Sequence, residues 1–129
     1  MRAPFTMRLP FAASSVSVAR HQLRQWMSDN GGSGEGIEDA RVVVSELVAN
    51  SVRHARPLAD GSILVSWTVQ PRGLELAVTD GGSGTRPRAV HASTSALAGR
   101  GMTIVGVLAL EWWTERTSSR STVFALVTF

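Results

Sequence analysis

Over residues 37–54 apolar side chains return every three or four positions, and over residues 61–70 they return every second one. That change of period is the tightest constraint on the fold. A 3.6-residue repeat gives a helix one apolar face, and a two-residue repeat gives a strand one. A chain carrying both must bury helices against a sheet. In the helical stretch Ile37, Ala40, Val44, Leu47, Val48 and Ser51 share a side, and Pro57 closes it. In the alternating stretch Ile63, Val65, Trp67 and Val69 share a face. Pro71, Arg72 and Gly73 then turn the chain into a second strand over residues 74–79.

Residues 5–9 are β-prone and short, as suits an edge strand. Ser14 or Ser15 can cap a helix in which Val16, Ala19, Leu23, Trp26 and Met27 recur at helical spacing. Residues 29–36, DNGGSGEG, read as a loop. Residues 80–100 are rich in Gly, Pro, Ser and Thr without a period, the pattern of a functional loop. A short helix follows over residues 102–110, opened by Gly101, and strands over 111–118 and 122–129 turn near Ser119 and Arg120. The order β-α-α-β-β-loop-α-β-β predicts a single domain over residues 1–129. Its class is α+β, a two-layer sandwich with helices on one face of a mixed or antiparallel sheet.

Composition removes several function classes. Hydrophobic residues are 43% of the chain, enough for a core rather than disorder. Cysteine is absent, which excludes disulfides, thiolate metal sites and a cysteine nucleophile. The 13 basic residues are all arginine against 10 acids, so the pI of 11.3 reflects the guanidinium pKa more than the net charge of +3. These arginines are scattered, with no basic run, interleaved aromatics or helix-turn-helix pattern, and nucleic-acid binding is not indicated. Without lysine a Gly-x4-Gly-Lys-Ser/Thr phosphate loop cannot be written, so any nucleotide is held another way. No uncharged run exceeds about eleven residues, against the ~20 that a membrane-spanning helix needs. Pro4, Arg8 and Pro10 interrupt the N-terminal stretch that would serve as a secretory leader. A cytoplasmic protein without membrane contact is expected.

Three local signals can carry chemistry. Glu46 and Asn50 lie four apart on the second helix and so share a face, which by itself also describes a solvated polar stripe. Asp80-Gly81-Gly82-Ser83-Gly84 follows a strand. It reads either as a plain turn or as a carboxylate offered to an exocyclic amine, with Gly82 and Gly84 admitting a planar base. Gly99-Arg100-Gly101 precedes a helix, where exposed N–H groups can bind phosphate, although a simple loop-to-helix junction has the same wording.

Taken in order, Glu-x3-Asn on a helix, Asp-x-Gly-x-Gly after a strand and Gly-x-Gly before a helix resemble the GHKL ATPase superfamily of gyrase B subunits, histidine kinases and MutL. The resemblance runs from the first helix to the final strand. The wording NSVRHA and GRGM is most similar to the anti-sigma factor/serine-protein kinase branch, which includes short actinobacterial ATP-binding regulators. It implies the Bergerat fold, ATP and Mg2+ as cofactors, and an anti-anti-sigma protein, and also a sigma factor, as partners. It is compatible with a homodimer. The implied roles are Asn50 on the magnesium ion, Glu46 as general base, Asp80 on the adenine amino group, and Gly82 and Gly84 beneath the nucleotide. Gly99, Arg100, Gly101 and Met102 fall around the phosphates, with Arg100 as the positive group on the γ-phosphate. Thr122 matches an adenine-site threonine, and Arg53 a basic phosphate contact. His54 reads as a helix-end residue favoured by the dipole. The segment from Gly84 to Gly99 is short for an ATP lid. No phosphoacceptor helix precedes the domain and no transducer domain follows, so a complete histidine kinase or a gyrase-type motor is not expected. A binding module without phosphotransfer is the alternative.

Overall fold

The computed structural model describes residues 4–83 and 99–129, with the side chains of residues 99–101 left aside. The elements run β1 (Phe5–Pro10), α1 (Ser14–Asp29), α2 (Gly34–His54), β2 (Ser62–Gln70), β3 (Gly73–Asp80), α3 (Gly99–Leu108), β4 (Glu111–Arg116) and β5 (Ser121–Val127). The strands form one sheet in the order β1-β2-β3-β5-β4, and every neighbouring pair is antiparallel. β5 therefore slots between β3 and β4. No helix of the described residues is long and apolar enough to cross a membrane.

The periods of the sequence map directly onto the packing. Leu23 and Met27 of α1, Val44, Leu47 and Val48 of α2, and Ile63, Val65 and Trp67 of β2 are all buried. Leu74, Leu76 and Val78 of β3 meet them with Ala125 and Val127 of β5, so the core lies between the helices and one sheet face. Trp67 is the hinge of this layer. Its ring stacks on Phe5 at 4.6 Å between centroids and meets the edge of Trp26 of α1 at 6.2 Å. Trp113 and Phe124 also stack, at 5.1 Å, but alternation places them on the opposite sheet face.

Several boundaries differ from the sequence reading, each for a local reason. α2 begins at Gly34, inside the stretch read as loop, because the Ser33 hydroxyl accepts the Gly36 N–H at 2.9 Å and caps the helix. Glu35 in its first turn and Arg53 and His54 in its last suit the helix dipole. Neither Ser14 nor Ser15 caps α1. The Ser15 hydroxyl donates instead to the Pro10 carbonyl at 2.6 Å and ties the helix to the end of β1. Asp80 is the last residue of β3, not the first of a loop, and α3 runs over Gly99–Leu108, not 102–110.

Replacing Trp67 by Ala is expected to cost about 3–5 kcal/mol, as large aromatic truncations in a packed core do. Trp113→Ala, on the outer face, should cost markedly less. Urea unfolding of the two variants beside the parent checks the layer assignment, and equal losses would contradict it.

Candidate functional site

Asp80 is the node of the site. β3 carries it to the sheet end beneath α2, where it is 5% exposed. The Ser51 hydroxyl of α2 donates to Asp80 Oδ2 at 2.6 Å, and the Gly82 N–H donates to Oδ1 at 2.7 Å. A backbone clasp holds the same two elements together. The Gly81 N–H donates to the Arg56 carbonyl at 2.8 Å, and the Arg56 N–H to the Gly82 carbonyl at 2.9 Å. The two glycines are needed here. A Cβ on Gly81 would collide with the Pro57 carbonyl, and Gly82 sits at φ +84°, where side chains are disfavoured.

Across the sheet, Asp80 pairs with Ser121, and Ser121 pairs with Arg116. Side chains on one such row share a face. The row lies on the helix side, as its neighbours Val78 and Val123 do. Burial pushes the Asp80 carboxyl above its ordinary pKa, a rise that the Ser51 and Gly82 hydrogen bonds and the charge of Arg116 hold in check.

Glu46 and Asn50 stand one turn apart on α2, both half-buried beside the apolar stripe that ends in Ser51. Arg53, a further turn on, is exposed. α3 packs against α2 and begins at Gly99, and Met102 in its first turns packs half-buried against the core. The side chain of Arg100 and the whole of Gly84 lie outside the described residues, as do the surroundings of Gly99 and Gly101. The structure thus brings Asp80 and Gly82 into one cluster and puts Glu46 and Asn50 on the helix that clasps it.

Thr122 stands apart. It pairs with Thr79, and the two hydroxyls are 2.8 Å from each other on the sheet face away from the helices. One residue along a strand reverses the face, so Ser121, not Thr122, shares the helix-side row with Asp80. Sequence reading also missed the link from Ser51 to Asp80 and the placement of Arg116. A polar residue at the end of the apolar stripe of α2 was the available signal for Ser51.

No group of three or more His, Cys, Asp or Glu able to hold a metal occurs among the described residues. Asn50 offers a hard, neutral oxygen donor on α2, which suits a magnesium ion arriving on phosphates rather than one in a protein cage.

The model of the histidine kinase-like ATPase domain family matches residues 9–125, and the chain belongs to that family. Family membership implies nucleotide use. Among curated relatives, the serine-protein kinase RsbW of Listeria monocytogenes serovar 1/2a is 38% identical over 84 residues, covering 64% of this chain and 54% of that one. RsbW of Staphylococcus epidermidis is 47% identical over 49 residues, 38% of this chain and 31% of its own. The chain thus spans about half the length of the first of these relatives and less of the second. The crystal structure of the RsbU and RsbW domains of Rv1364c from Mycobacterium tuberculosis superposes with a TM-score of 0.74 at 22% identity. That match covers 98% of this chain and 32% of the other, and it establishes the shared α+β fold.

The raised Asp80 pKa has a stability consequence. The folded chain binds this proton more tightly than the unfolded chain, so the contribution of Asp80 is greatest below its ordinary pKa of 3.8 and is lost as pH rises through the folded value. The stability of the parent relative to Asp80→Asn is therefore expected to decline as pH is raised from about 3.8 through that value. Urea unfolding of both proteins across the acid range checks the slope. A difference that is flat, or that rises with pH, would contradict the burial of a charged carboxyl.

Proposed function

We propose that this chain is an ATP-dependent serine/threonine-protein kinase of the anti-sigma type, which phosphorylates an anti-anti-sigma protein and sequesters a sigma factor. The observation that carries the reading is the buried Asp80 carboxylate at the end of β3, bound by the same helix that bears Glu46 and Asn50. The naming of its relatives as serine-protein kinases supports the activity.

The roles are those that the family resemblance implies, and each fits the chemistry of the group. Asp80, held by two donors, has lone pairs left for an exocyclic amine such as that of adenine. Asn50 supplies a neutral oxygen to magnesium, which when bound neutralises charge on the phosphates. The first turn of α3, with Gly99, Arg100 and Gly101, offers N–H groups and a guanidinium to the phosphates, the guanidinium on the γ-phosphoryl group. Arg53, exposed on the last turn of α2, is a further phosphate contact. Glu46, one turn before Asn50, takes the proton from the acceptor hydroxyl. As it does so, the bond from that oxygen to the γ-phosphorus forms, the bond to the β–γ bridging oxygen breaks, and ADP leaves.

Binding and chemistry should separate by mutation. Asn50→Ala is expected to weaken Mg-ATP binding and phosphotransfer together. Glu46→Gln should leave nucleotide affinity near the parental value and slow partner phosphorylation by about a hundredfold. That is the lower end of general-base effects, since the loose transition state of phosphoryl transfer demands little of a base. The measurement is the phosphorylation rate of an anti-anti-sigma protein alongside calorimetric affinity for each variant. Parental turnover in Glu46→Gln would remove Glu46 as base. A parent that binds Mg-ATP and phosphorylates no partner would make the chain a binding module.

A further inference from the structure

We infer that Ser51 is the specificity-determining residue of this site: its hydroxyl fixes the plane of the Asp80 carboxylate as a hydrogen-bond acceptor, so that a base bearing an exocyclic amine is taken and one bearing a carbonyl there is refused. The inference rests on the reading of Asp80 as a base-recognition group and deepens it.

Ser51 and Asp80 are both buried, and the contact between them crosses from the helix layer to the sheet. Serines within a helix commonly bond the carbonyl one turn back. Ser45 on the same helix does so, donating to Arg41 at 2.6 Å. The Ser51 hydroxyl donates instead to Asp80 Oδ2, at 2.6 Å. The opposite oxygen, Oδ1, accepts the Gly82 N–H, a group that can only donate. One bond on each oxygen, one from α2 and one from the turn after β3, holds the carboxylate against rotation about its terminal torsion. Both contacts are donors, so the lone pairs left over can meet only another donor. Arg116 on β4, whose charge also acts on Asp80, favours the same ionised form.

Removing the hydroxyl takes away the clamp that α2 places on Oδ2 and lets the carboxylate turn. Selection should then fail before binding does, because phosphate and metal contacts do not pass through Ser51. A carbonyl facing a fixed carboxylate places two acceptors together, which is the repulsive element that makes such a site selective.

The test is calorimetry of Mg-ATP, Mg-GTP and the magnesium complex of purine riboside triphosphate, which lacks the amine, on the parent, Ser51→Ala and Ser51→Cys. The parent is expected to prefer ATP over the amine-free analogue by about ten- to a hundredfold, the worth of a hydrogen bond to a charged group. Ser51→Ala should lower that preference by about tenfold and narrow the gap to GTP, with the analogue bound as by the parent. Ser51→Cys, nearly the same size with a weaker donor, should fall between, and it decides the matter if the alanine variant does not fold. A parental ATP preference in the variants, or equal losses for ATP and the analogue, would overturn the role of Ser51 while leaving Asp80 as the base contact. A parent that binds ATP and the analogue equally would overturn the base reading of Asp80, and the inference with it.

Discussion

One hydrogen bond joins the two layers at the point where they must cooperate. Ser51 lies at the buried end of α2 and Asp80 at the end of β3, separated by 29 positions in sequence, and their side chains meet at 2.6 Å. A buried carboxyl without donors is costly, so this contact and the Gly82 N–H are what allow an acid to occupy the core edge. Its location is what matters for function. Asn50 adjoins Ser51 along the chain and Glu46 precedes it by little more than a turn, so the contact that settles Asp80 lies on the same stretch of α2 as both of these polar side chains.

The remaining architecture keeps that contact in register. The apolar stripe of α2 seats on β3 and β5, and α1 packs against α2 and shares its core. The Arg56 clasp fixes the exit of α2 against the Gly81–Gly82 turn, where no side chain fits on Gly81. At the far end of α2, the Ser33 N–H donates to the Phe129 carbonyl at 3.1 Å, tying the helix start to the end of the chain after β5. A helix held at both ends and along one face has little freedom to slide. That is the rigidity a recognition site needs from its supporting elements.

Much of this was legible in the sequence because periodicity reports burial directly. The helical stripe ending in Ser51, the alternation through Trp67 and the Pro71–Arg72 turn all appear as read. What escaped depends on partners distant in the chain. Ser15 looks like a cap until the Pro10 carbonyl competes for its hydroxyl. Ser33 lies in a glycine-rich run whose composition masks its capping role. The face of Thr122 is fixed by the pairing of β5 with β3, a register that one strand read alone does not carry. Ser51 was visible as part of the buried stripe, but its acceptor lies on another element.

The proposed reading of the base by Asp80 is tested most directly by calorimetric titration of Mg-ATP and Mg-GTP into the parent and Asp80→Asn. The parent is expected to prefer ATP, and the variant to lose about tenfold or more of its ATP affinity while its GTP affinity holds or rises, since the amide can donate where the carboxylate only accepts. Equal affinities of the parent for the two nucleotides, or an unchanged ATP affinity in Asp80→Asn, would contradict it.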